Sequence, residues 1–190
     1  MTRASLIAIL LCIAAPAGAA AQPASPAMAT APAIDPARAR QLYLAVIRKL
    51  HQDGKSHAAL AYLDDFDRRY PADAAARLLR ADCLVGTGQL AEAQTLYQSL
   101  AAGPERAAAL SGLGQVAGLR GDWAAAVTVY AQASGLEPVN AVYRNDLGYA
   151  LFRAGAVERA LFTLRQASEL DPANPVIAGN LALAAKATHP

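Results

Sequence analysis

Cysteine is nearly missing from these 190 residues: there are two, Cys12 and Cys83. Once residues 1–21 are read as a cleaved leader, Cys83 stands alone and cannot close an intramolecular disulfide, so stability has to come from packing. Charge of one sign is missing as well, with 17 Lys and Arg against 15 Asp and Glu, and the leader removes only Arg3, which leaves +1. Such a balance provides no basic field for nucleic acid or for an anionic membrane surface. Histidine is scarce. His51 and His57 flank Gly54 with Asp53 between them, the only loose cluster a metal could use, and solvated turn residues are the plainer reading. The acids Asp64, Asp65 and Asp67, beside Arg68 and Arg69, are expected on a solvated outer face rather than as a catalytic pair. The glycines at 112, 114, 118 and 121 are spread along a helix and its turn, so they serve close packing and do not form a phosphate loop. No segment between turns alternates with period two, which excludes strands. Nothing here calls for an enzyme, a cofactor or a metal.

What is present begins with a leader. MTRASLIAILLCIAAPAGAAA has Arg3 in a short basic start, an apolar run from Leu6 to Ala15, and small residues at Ala19–Ala21 that suit cleavage near Ala21. The run is short of the ~20 residues a membrane span needs, so the mature chain is expected not to insert. Cys12 has Leu11 before it, in mid-run, where a lipidated cysteine needs a small residue. The chain is therefore expected to be periplasmic or secreted. Residues 22–35, rich in Pro and Ala without any period, read as a disordered spacer.

From residue 36 onward the chain repeats. Gly54, Gly88, Gly121 and Gly155 are spaced by 34, 33 and 34 residues, and Ala59, Ala93, Ala126 and Ala160 keep step with them. The glycines mark turns that take positive φ, and the alanines mark places where two helices cross closely. The best-preserved copy is 141–174, with Leu147, Gly148 and Leu151 on a first helix, Ala160, Leu164 and Ala167 on a second, and Asp171-Pro172 as the stop.

These residues resemble the tetratricopeptide repeat, whose length is 34 residues. The resemblance implies an all-α fold, a right-handed α-solenoid of four helix hairpins (repeats 40–73, 74–106, 107–140 and 141–174) with a capping helix at 175–187. Together these make one domain, 36–190. Asp35, Asp73, Asn140 and Asn174 are expected as helix N-caps, Gly103-Pro104 as an exit turn, and Cys83 as a buried small apolar residue. Ile47 and Phe66 stand in usually small slots and Arg80 in an apolar one. Trp123, just inside the second helix of its repeat, is expected to be core.

The resemblance also implies a concave groove lined by the first helix of each repeat. Counting along the repeats puts Arg48, Asp82, Gln115, Asn145, Tyr149, Phe152 and Arg153 in it, with Leu183 of the capping helix facing the same side. The family's clamp for a C-terminal carboxylate is missing, since Leu44, Arg48, Leu79, Ala108 and Gly112 stand at its positions. Asn145 is expected to bond an extended peptide backbone, beside aromatic and Arg anchors. Val176 and Leu183 either extend this apolar patch or fold across Tyr149 and Phe152 as core. The implied function is that of a non-enzymatic protein-interaction module, a periplasmic adaptor or assembly factor with a protein or peptide partner, and self-association is compatible with it. The terminal NLALA helix is similar to those of pilus-assembly relatives; cytochrome maturation and outer-membrane assembly are the alternatives. A metal or enzymatic role at His51, Asp53 and His57 is the alternative of another class.

Overall fold

The computed structural model describes residues 35–71 and 73–187, so the expected leader (1–21) and nearly all of the spacer lie outside the described residues. Among these residues the chain forms nine α-helices and no strand. They are α1 (Pro36–Gln52), α2 (Ser56–Arg69), α3 (Ala74–Gly86), α4 (Leu90–Leu100), α5 (Arg106–Leu119), α6 (Trp123–Leu136), α7 (Ala141–Arg153), α8 (Val157–Leu170) and α9 (Pro175–Lys186). None of them is long and apolar enough to cross a membrane.

The boundaries follow from local chemistry. Gly54, Gly88, Gly121 and Gly155 have φ of 75, 80, 81 and 82°. A Cβ at any of the four would meet nothing within 4 Å, so it is the left-handed backbone and not lack of space that requires glycine. Four helices open on side-chain caps that sequence reading located. The Asp73 carboxylate accepts from the Ala76 amide at 2.7 Å, and Asn140 accepts from Val142 and Tyr143 at 3.1 and 3.3 Å. Asn174 does the same for Val176 and Ile177, and Asp35 for Arg38. Each such bond satisfies an amide with no helical partner and contributes about 0.5–2 kcal/mol.

Consecutive helices pair as hairpins, α1/α2 through α7/α8, and α9 closes the series against α8 and α7. The odd-numbered helices also touch one another in order, α1 to α3 to α5 to α7 to α9, while the even-numbered ones touch only their sequence neighbours. One layer is therefore continuous and the other is splayed, which is how a solenoid acquires a concave side lined by the first helices. Ala59, Ala93, Ala126 and Ala160 are fully buried at the crossings, as the repeat register requires. Cys83 is buried and free, and burial pushes its thiol up to about 11, so it is an inert core residue.

The first repeat departs from the expected pattern. Ile47 and Phe66 are fully buried, and Tyr43, Phe66 and Tyr70 pack as a group of rings. Asp64 and Asp67 are exposed and Asp65 is half-buried, and all three also have partners. Asp64 and Asp67 hold the Arg80 guanidinium at 2.8 Å each across the α2–α3 junction. Asp65 accepts from the Tyr43 hydroxyl at 2.6 Å, a bond that holds its own carboxyl below the usual range. An arginine in an apolar slot is thus tolerated because two acids of the preceding helix reach it.

Candidate functional site

Between α5 and α7 the concave side opens into a cavity of about 410 Å³, lined by Gln115, Gly118, Leu119, Trp123, Tyr130, Asp146, Tyr149 and Arg153. Its floor is built by a packing device. Gly114 and Gly118 lie four apart on one face of α5, where a Cβ would come within 2.8 Å of the Tyr130 ring and 2.9 Å of the Trp123 ring. With no side chains there, the two rings of α6 rest on bare α5 backbone and reach through to the groove. Trp123 meets the Tyr149 ring edge-on at 5.9 Å. The Arg153 guanidinium lies 4.2 Å above the Trp123 ring and donates to the Tyr149 hydroxyl at 2.9 Å. Arg153 and Tyr149 are one helical turn apart on α7, which brings both of them to the Trp123 ring of α6.

Asp146 supplies the acid. Its carboxylate accepts from Ser111 of α5 at 3.5 Å and from the Asn145 amide at 3.3 Å, both long. Burial raises its pKa from 3.8 to about 6, with those two bonds opposing the shift. The buried Tyr130 hydroxyl is held un-ionised by the same surroundings, burial first and then the neighbouring Asp146 charge.

Of the expected groove residues, Gln115, Tyr149 and Arg153 meet at this cavity. Asn145 lies next to it but is buried, and its side chain is engaged: the oxygen accepts from Asn180 of α9 at 2.9 Å while the nitrogen donates to Asp146. In the chain without a partner the Asn145 side chain is therefore occupied by the capping helix and by Asp146 instead of standing open to the groove. A second hollow of about 300 Å³, between α7 and α9, is lined by Asn145, Asp146, Tyr149, Val176 and Asn180. Val176 and Leu183 are 62% and 45% exposed, so α9 walls the groove without sealing it, and Phe152 is half-buried.

The N-terminal half differs. Arg48 is exposed on α1, and Asp82 of α3 accepts from Tyr97 at 2.6 Å, with burial raising its pKa against the pull of that bond and of His51 and Arg48. His51 bonds Ser56 and Asp53 pairs with Lys49, so the metal alternative finds no converging ligands. Among the described residues no group of three or more His, Cys, Asp or Glu is placed to hold an ion.

Sequence reading missed Trp123 and Asp146. Trp123 packs one edge on α5 as expected of core, but its other surface is a cavity wall. Asp146 had a signal: the equivalent place in the other repeats holds Ala45, Leu79 and Gly112, so an acid there is out of pattern.

A tetratricopeptide repeat model matches residues 48–107, 84–133 and 113–175, and the chain belongs to this family. It is 34% identical over 116 residues to the TPR repeat-containing protein PA4299 of Pseudomonas aeruginosa, a match that covers 61% of this chain and 46% of that protein. The chain thus spans about half the length of that relative. Among solved structures it aligns with TTC0263, a thermophilic TPR protein of Thermus thermophilus, at TM-score 0.71 and 22% identity over 79% of this chain and 83% of that one. MamA of Desulfovibrio magneticus RS-1 aligns at TM-score 0.60 and 21% identity over 78% and 85% of the two chains. The first TPR of Spaghetti, bound to an HSP90 peptide, aligns at TM-score 0.57 and 19% identity over 62% and 94%. These structural likenesses define the fold, and a tetratricopeptide domain points to a protein–protein interaction module.

Proposed function

We propose that the chain is a non-enzymatic interaction module that holds an extended segment of a partner protein against α5 and α7. It would act in the cell envelope as an adaptor or assembly factor. The observation that carries this reading is the cavity itself: the half-buried Trp123 and Tyr149 rings and the exposed Arg153, side chains of the kinds most often found as interface anchors, converge on the concave side beside the buried Tyr130. The Spaghetti domain, with the same fold, holds a peptide, which supports the mode of binding. The leader supports the compartment, and the resemblance of the terminal helix puts pilus or secretion-system assembly first among envelope machines. Fractionation of the native cell is expected to find the chain in the soluble envelope fraction with its N-terminus near Gln22. Full-length protein in the cytoplasm would contradict the placement. In the same fraction, Tyr149→Ala should weaken capture of the partner more than 30-fold, corresponding to a loss of about 2 kcal/mol or more at an anchor. A folded Tyr149→Ala protein that captures the partner undiminished would remove the cavity from the binding surface.

A further inference from the structure

The cavity holds two groups of opposite charge, and their surroundings decide which of them lacks a partner. Arg153 is exposed, spread over the Trp123 ring and bonded to the Tyr149 hydroxyl, so water and the rings already satisfy it. Asp146 is half-buried and has only the two long bonds from Ser111 and Asn145. Among the described residues no Lys, Arg or His lies within ion-pair reach of it. A carboxylate withdrawn from water, without a cation and facing aromatic rings, gains most from a cation brought by a ligand. The rings beside it offer apolar surface to a long methylene stem, as Lys and Arg side chains require.

We infer that the α5–α7 cavity takes a Lys or Arg side chain of the partner's extended segment, with the charged head against Asp146 and the stem along the Trp123 and Tyr149 rings. This rests on the groove being the binding surface. Charge complementarity selects the occupant: an exposed guanidinium such as Arg153 gains little from an anion in water, whereas Asp146 gains a partner it lacks. Leu79 and Gly112 stand at its place in the neighbouring repeats, and the other groove acid, Asp82, is already bonded by Tyr97 with Arg48 and His51 near it, so one cationic anchor is expected and not a basic run.

Trp123 is the only tryptophan in the chain, so its fluorescence reports directly on the cavity. The test is selection of random dodecapeptides displayed against the immobilised full chain at low salt, followed by titration of the enriched peptides with Trp123 emission as the signal. The expected result is a shared Lys or Arg whose replacement by norleucine weakens binding at least ten-fold in the native chain and less than two-fold in Asp146→Asn. Peptides that shift Trp123 emission but share an acidic or purely apolar anchor would overturn the cationic assignment and leave the groove reading standing. Binding that neither moves Trp123 emission nor responds to Asp146→Asn, or no enrichment at all, would overturn both. Circular dichroism of Asp146→Asn confirms that the variant is folded, and Asp146→Glu should retain most of the discrimination.

Discussion

Gly112→Ala is expected to destabilise the domain by about 1–3 kcal/mol, even though alanine in place of glycine favours a helix by about 1 kcal/mol. A methyl group there would stand 2.3 Å from carbons of the Tyr97 ring. That ring is fully buried and its hydroxyl is tied to Asp82 at 2.6 Å, so it cannot swing aside. Gly179 is the matched control. It lies inside α9 with nothing within 4 Å of a would-be Cβ, and Gly179→Ala should stabilise by up to about 1 kcal/mol. Urea midpoints of the two variants should therefore move in opposite directions. If both rise, the close α4–α5 crossing is wrong.

Asp146→Asn is expected to stabilise the protein at pH 8 and to have no effect near pH 4. The folded pKa of Asp146, about 6, lies above the ordinary 3.8, so the fold binds this proton more tightly than the unfolded chain does. Its contribution to stability is therefore full below pH about 4 and is lost as pH rises through about 6. By pH 8 the buried carboxylate costs the fold up to about 3 kcal/mol. The variant removes that penalty but weakens the bonds from Ser111 and Asn145, so the net gain should be about 1–2 kcal/mol. Thermal unfolding of both proteins at pH 4, 6 and 8 measures it. A variant that is less stable than the native chain at pH 8 would show that Asp146 is structurally required. A stabilising Asp146→Asn would show an acid that weakens its own fold in a place where other repeats carry apolar or small residues, as the proposed cationic ligand requires.

How much could be read beforehand depended on how local the cause was. Gly54, Gly88, Gly121 and Gly155 were legible because a left-handed turn needs glycine whatever surrounds it. Asp73, Asn140 and Asn174 were legible because a cap bonds amides two or three residues away. Ala160 and Cys83 followed from the repeat register, which fixes depth. The site was legible only in part, because it depends on side chains from different repeats. Gln115, Tyr149 and Arg153 could be placed by counting. The engagement of Asn145 by Asn180, 35 residues away, could not, nor could the grip of Asp64 and Asp67 on Arg80. The groove-facing side of Trp123 was hidden too, because repeat position describes the edge it packs on α5 and not the surface it turns to the groove.

The central claim, that a partner lies in the α5–α7 cavity, is tested most directly by placing a photoreactive amino acid at single positions in the native cell. Leu119 lines the cavity and is 58% exposed, while Thr128 is exposed on α6, in the splayed layer. Irradiation should give one discrete heavier species from position 119 and none from position 128, and the adduct at 119 should be lost when Tyr149→Ala is added. An adduct from position 128 alone, or equal adducts from both that survive Tyr149→Ala, would contradict the account.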